Sequence, residues 1–307
     1  TPDITKTTTI WSGVIAMTFF HITVYGANQM MVQRTLGAPT IGGAKKAYLL
    51  MGFAAFPIYF LFFFVGVLCY AYYGGKPFEN PNEIVLTFAA SAGIPGLMGI
   101  LTAAVLAASM STLSSAFNSL ATVTTVDFYR KFSDVPDGKG HYLKMTRIFT
   151  LVWALLVIFP AIMYSNTEGS ILEVLSKIGS FFVGAKLGMY ALGFFSKHTT
   201  EKGLLVGVAV GFVMVWYVAT YTDIAWPWYC AIGGGTNIIV SIIASLIWTG
   251  KQEQWSPYTV VGQRKKFADS GEAISEEGWY RLPGRIDKIS WLLIIFFAAT
   301  IAVLKLL

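Results

Sequence analysis

The chain has 307 residues, of which 55% are hydrophobic and 12% charged, with a mean hydropathy of +0.61. That composition excludes a soluble globular domain and marks an integral membrane protein. The net charge of +6 does not make a nucleic-acid surface, because its basic residues are spread through the loops between apolar spans. Nor do two cysteines inside such spans, Cys69 and Cys230, make a disulfide framework.

The opening stretch TPDITKTTTIW is polar and lacks the features of a secretory signal, and reads as a loop within a longer parent chain. Stretches long enough to cross about 30 Å of hydrocarbon follow near 11–36, 48–73, 84–128, 144–164, 171–195, 203–221, 227–248 and 288–307. The first is unusually polar from its middle to its end, carrying Tyr25-Gly26-Ala27-Asn28-Gln29 and then Gln33-Arg34. Amides in hydrocarbon must face protein, water or a ligand. Two readings remain open: a helix broken at Gly26 whose freed carbonyls line a cavity, or a helix pair hydrogen-bonded through Asn28 and Gln29. His21, alone in this span, reads as a packing residue.

The third stretch is interrupted at Gly93-Ile94-Pro95-Gly96, so its spanning helix is expected to begin near Gly96. Beyond that point Ala108, Ser111, Thr112, Ser115, Ser119 and Thr122 fall within an arc of about 100° at helical spacing. Hydroxyls within a bilayer serve either as glue between helices, worth about 0.6 kcal/mol each, or as neutral oxygens for a small hard cation. A Ca²⁺ site would need several carboxylates, and this span has only Asp127, at its far end. Six small positions in one stripe point to Na⁺.

The fifth span holds Lys186 near mid-depth with no acid beside it. Such a lysine costs about 2.5–3.5 kcal/mol on insertion scales and faces the protein interior. Its open roles are a substrate carboxylate, ion coupling, pairing with an acid elsewhere in the longer parent chain, or a structural contact to backbone carbonyls. Lys177 is expected to snorkel or to pair with Glu173. Gly203, Gly207 and Gly211 recur every four residues and read as a close-packing helix face. The 249–287 segment, with Arg264-Lys265-Lys266, reads as a cytoplasmic linker lying near anionic headgroups. Loops on one side hold seventeen of the 22 basic residues, which orients eight spans with residues 1 and 307 outside and 249–287 in the cytoplasm, in the plasma or inner membrane.

The stretches YGANQMMVQRTLGA, then AKKA, and SMSTLSSAFNSLATVTTVDFYRK resemble the sodium:solute symporter family of glucose, iodide, monocarboxylate and sialic acid carriers. The resemblance runs from Trp11 to the eighth span. It implies an all-α transmembrane fold, the second half of a LeuT-type inverted-repeat transporter plus C-terminal helices. Residues 1–195 would be the second repeat (core helices six to ten), 196–248 two peripheral helices, 249–287 a cytoplasmic linker and 288–307 a final helix. The N-terminal helices of the parent chain would then be missing partners, alongside the lipid bilayer and a small-molecule solute.

Carried over by position, the resemblance implies a first sodium on the Ala108 carbonyl and the Ser111 and Thr112 hydroxyls, and a possible second on Ser114 and Ser115. Tyr25, Asn28, Gln29, Ser176 and Lys186 are the implied substrate residues. Sugar-transporting relatives carry a glutamine where Ser176 stands, so the expected solute is a small organic anion or monocarboxylate, with a sugar or sialic acid as the alternative. A channel would show a filter motif. A hydrolase would need H-E-x-x-H, G-x-S-x-G or clustered histidines, whereas His21, His141 and His198 are far apart. The expectation is a carrier and not an enzyme.

Overall fold

The computed structural model describes residues 3–133, 135–136, 140–164, 170–248, 255–275, 277–281 and 285–306. Its elements are helices: α1 (Met17–Ala27), α2 (Gln29–Leu36), α3 (Ile41–Tyr72), α4 (Ile84–Ser91), α5 (Leu97–Val123), α6 (Arg130–Phe132), α7 (His141–Tyr164), α8 (Ile171–Phe195), α9 (Glu201–Tyr221), α10 (Tyr229–Trp248), α11 (Val260–Asp269) and α12 (Lys288–Leu306). A π-helical turn, Ser12–Ala16, leads into α1, and another, Thr124–Tyr129, joins α5 to α6. Among the described residues six helices are long and apolar enough to cross a membrane, and Ser12–Ala27 and Lys288–Val303 are shorter apolar helices. Each of the eight stretches read from hydropathy contains one of these helices.

The residues cluster into two units, one of Thr1–Phe64 with Leu175–Leu307 and one of Val65–Val174. In the first, α9 and α10 are pressed together by the glycines of α9. A Cβ on Gly203 would fall 2.0 Å from Ser245 Oγ, and one on Gly207 would fall 1.9 Å from Ser241 Oγ and 2.7 Å from the Asn237 carbonyl. The helix α8 closes on α10 in the same way, since a Cβ on Gly184 would lie 3.0 Å from the Cys230 carbonyl. Asn237, fully buried, ties the group together: its Nδ2 donates to the Ala185 carbonyl at 3.0 Å and its Oδ1 accepts from Ser241 Oγ at 2.9 Å. The four-residue glycine repeat is the close-packing face its spacing predicts. Cys230 and Cys69 are free and buried, as expected of small core residues.

In the second unit α5 packs beside α7. Trp153 Nε1 donates to Thr124 Oγ1 at 2.9 Å, and Thr146 Oγ1 donates to Thr125 Oγ1 at 3.1 Å. Hydroxyls of the π-helical turn that follows α5 are thus used as glue. The helix begins at Leu97, after Gly93 and Gly96 take φ of +63° and +83°. Only glycine accepts that backbone without strain, so the break lies where the Gly-Ile-Pro-Gly sequence placed it.

Candidate ion and solute sites

The first span is broken, but at Asn28 and not at Gly26. Gly26 stays helical within α1, whereas Asn28 adopts φ −84° and ψ 124° and caps α2, its Oδ1 accepting from Met30 N–H at 3.1 Å. Asparagine is a strong N-cap because its side-chain oxygen replaces a missing helical acceptor, whereas Gly26 offers only conformational freedom. The break leaves the last carbonyls of α1 without partners inside the helix. One of them, Tyr25 O, accepts from Tyr48 Oη at 3.1 Å, and Tyr48 Oη in turn accepts from Thr35 Oγ1 at 3.0 Å. His21 stacks on Tyr25 with ring centroids 5.6 Å apart, a packing role.

Tyr25, Asn28 and Gln29 therefore flank one helix break. Ser176 and Lys186 lie on α8, both partly exposed, ten residues and so about 15 Å apart along the axis. Among the described residues no acid lies within ion-pair distance of Lys186. The Lys177–Glu173 pair is not made either. Both side chains are exposed, where such a pair gains little, and the Lys177 backbone carbonyl accepts from Ser180 Oγ at 2.7 Å.

On α5 the hydroxyls turn back along their own helix. Thr112 Oγ1 donates to the Ala108 carbonyl at 3.1 Å, and Ser114 and Ser115 both donate to the Ser111 carbonyl, at 3.1 and 3.0 Å. A hydroxyl that gives its one hydrogen away keeps two lone pairs, and a carbonyl that accepts once keeps another. Ala108 O and Thr112 Oγ1 are thus adjacent neutral oxygens with electron pairs to spare. Ala108, Ser111, Thr112 and Ser114 are exposed on this helix, whereas Ser119, further along the stripe, is buried.

The family model for the sodium:solute symporter family matches residues 2–211. The chain is 30% identical over 230 residues to a sodium-dependent multivitamin transporter of Oryctolagus cuniculus, covering 71% of this chain and 35% of that one. It is also 30% identical over 240 residues to a sodium/sialic acid symporter of Aliivibrio fischeri, covering 76% of this chain and 47% of the relative. Among solved structures, a Na⁺-coupled sialic acid symporter in a substrate-bound outward-open state superposes with a TM-score of 0.66 at 24% identity, over 80% of this chain and 52% of that one.

The chain belongs to the sodium:solute symporter family. It is an integral membrane protein with the all-helical LeuT-type fold expected from its motifs. It spans about half, or less, of the length of the relatives it matches.

Proposed function

We propose that this chain is part of a sodium-coupled secondary active transporter that imports a small organic anion by alternating access. The pair of adjacent oxygens on α5, Ala108 O and Thr112 Oγ1 at 3.1 Å, carries the reading, with Ser111 as the third ligand of the first sodium. Ser114 and Ser115, which share the Ser111 carbonyl, form the second where one exists. Sodium favours one state of a carrier only by binding it more tightly than the other, so the coupling resides in helices that separate between states. The remaining ligands belong to N-terminal helices of the parent chain, which the resemblance assigns to core helices one to five.

The solute binds at the break flanked by Tyr25, Asn28 and Gln29, with Ser176 and Lys186 contributed by α8. Lys186, with no acid in ion-pair reach among the described residues, favours a carboxylate. The multivitamin and sialic acid relatives support a carboxylate-bearing solute by analogy, and the sialic acid reading remains the alternative within the same chemistry. The loops rich in Lys and Arg, including 249–287, face the cytoplasm of a plasma or inner membrane.

The test is uptake by the full-length carrier in proteoliposomes, with an inward sodium gradient and labelled pyruvate, sialic acid and glucose compared. Concentrative uptake of either carboxylate supports the proposal, and Lys186→Met then lowers the apparent affinity for it. Uptake of glucose alone contradicts the anion assignment while leaving the sodium site standing.

A further inference from the structure

The segment before α12 is more than a linker. Residues 273–275 pair with 279–281 as the arms of a small hairpin, in which Ser275 N–H donates to Trp279 O at 2.8 Å and Arg281 N–H donates to Ala273 O at 2.9 Å. The hairpin sits on the corner between α2 and α3. A Cβ on Gly42 would fall 2.0 Å from Glu277 Oε2 and 2.4 Å from Trp279 Nε1, so the corner is open to the hairpin only because residue 42 has no side chain. Lys45, in the first turn of α3, donates to the Tyr280 carbonyl at 3.0 Å, pairs with the Asp287 carboxylate and lies 5.7 Å from the Trp279 ring centroid.

A cavity of about 680 Å³ remains between this corner, the hairpin and the start of α12. Its lining includes the apolar Leu36, Ile41 and Leu293 and the basic Lys45, Arg281 and Arg285. Lys45 is neutralised by Asp287. Arg281 is not fully engaged: Nη1 reaches the exposed Glu272 at 3.4 Å, but its Nε is buried with no hydrogen-bond partner among the described residues. Arg285 lies over the Tyr280 ring at 5.2 Å, and no described carboxylate is within ion-pair distance of it. A buried guanidinium N–H calls for an acceptor, and two guanidinium groups present forks suited to phosphate.

Basic cavities beside membrane-entering helices have the chemistry of an anionic headgroup site, and the apolar lining supplies what a free phosphate cannot use. We propose that this cavity binds an anionic phospholipid, with its phosphate on Arg281 and Arg285 and an acyl chain against Leu36, Ile41 and Leu293. Its place in the cytoplasmic leaflet rests on the proposed orientation, whereas the binding itself does not. Such a lipid would brace the hairpin against the α2–α3 corner, next to the helix break.

The experiment is native mass spectrometry of the full-length carrier after exchange into phosphatidylcholine vesicles doped with phosphatidylglycerol. The readout is retained phosphatidylglycerol, which is independent of sodium coupling. Replacing Arg281→Gln and Arg285→Gln together should lower retention roughly tenfold or more, at about 1 kcal/mol for each basic residue near a headgroup. Lys265→Gln on α11, outside the cavity, should leave retention unchanged. Ala44→Phe narrows the cavity while keeping both arginines and should weaken lipid retention, so the proposal stays testable if the double variant fails to fold. Parental retention in both the double variant and Ala44→Phe overturns the proposal, as does equal loss in Lys265→Gln. Displacement of the lipid by inorganic phosphate alone would overturn it in favour of a soluble anion site.

Discussion

Serine is used in opposite ways in α10 and in the middle of α5. In α10, Ser241 and Ser245 are fully buried, each facing an α9 glycine whose Cβ would collide with its hydroxyl. Their hydrogen bonds join other parts of the packed group, Ser241 to Asn237 Oδ1 and Ser245 to the Thr200 N–H at 3.0 Å. In α5, Ser111, Thr112 and Ser114 are exposed, and the bonds of Thr112 and Ser114 return to their own helix. A hydroxyl opposite a glycine is packing material, whereas a hydroxyl row without one keeps its lone pairs for something else. For the α9–α10 pair the sequence mark of packing is thus the glycine on the facing helix and not the serine itself.

That contrast can be broken from the packed side first. Gly207→Leu forces a side chain into Ser241 and the Asn237 backbone, and should cost about 3 kcal/mol or more in thermal or denaturant unfolding of the detergent-solubilised carrier. Lys45→Met leaves the Asp287 carboxylate, 8% exposed, without its cation, and should cost on the order of 2 kcal/mol. Asn237→Leu removes the bonds to Ala185 and Ser241; about 1 kcal/mol is expected, with sodium affinity unchanged. A stability loss from Asn237→Leu accompanied by a large sodium effect would blur the distinction between the two regions.

Acid should expose a smaller term. Burial alone would raise the Asp287 pKa, but hydrogen bonds from Lys45 and from the Ser290 N–H and hydroxyl outweigh it, and the net shift is downward. A depressed carboxylate stabilises the fold fully above its unfolded value, near pH ~4, and that contribution is lost as the pH falls through the lower folded value. The parent should therefore lose stability relative to Asp287→Asn below about pH 4, as read by unfolding at a series of pH values. A pH-independent difference between the two would contradict the pairing.

Much of the architecture was legible because membrane spans announce themselves by length and hydropathy, because Gly93 and Gly96 act through local backbone geometry, and because the α9 glycines mark a packing face by their spacing. The first span's polar run left two readings open, a break at Gly26 and a helix pair bonded through Asn28 and Gln29. The break fell on Asn28 because a cap offers a hydrogen bond where glycine offers only freedom. The helix α11 was missed inside the polar 249–287 segment, although Thr259 caps it through Gly262 N–H at 3.2 Å, a signal present in the sequence. The Lys45–Asp287 contact joins residues 242 positions apart, and no local pattern encodes it. Among the substrate residues, Tyr25, Asn28 and Gln29 share one motif, while Ser176 and Lys186 stand on a different helix, α8, outside any such local motif.

Sodium dependence of transport by the Ser111→Ala, Thr112→Ala double variant tests the central claim most directly. These hydroxyls are exposed and make no described bond to another helix, so their removal should change stability by no more than about 0.5 kcal/mol. Losing two of the assigned ligands should nevertheless raise the sodium concentration for half-maximal uptake at least about tenfold, a coupling loss of roughly 1.4 kcal/mol. A correctly folded double variant with the parental sodium dependence would show that the α5 hydroxyls are glue like those of α10, and that the ion is held elsewhere.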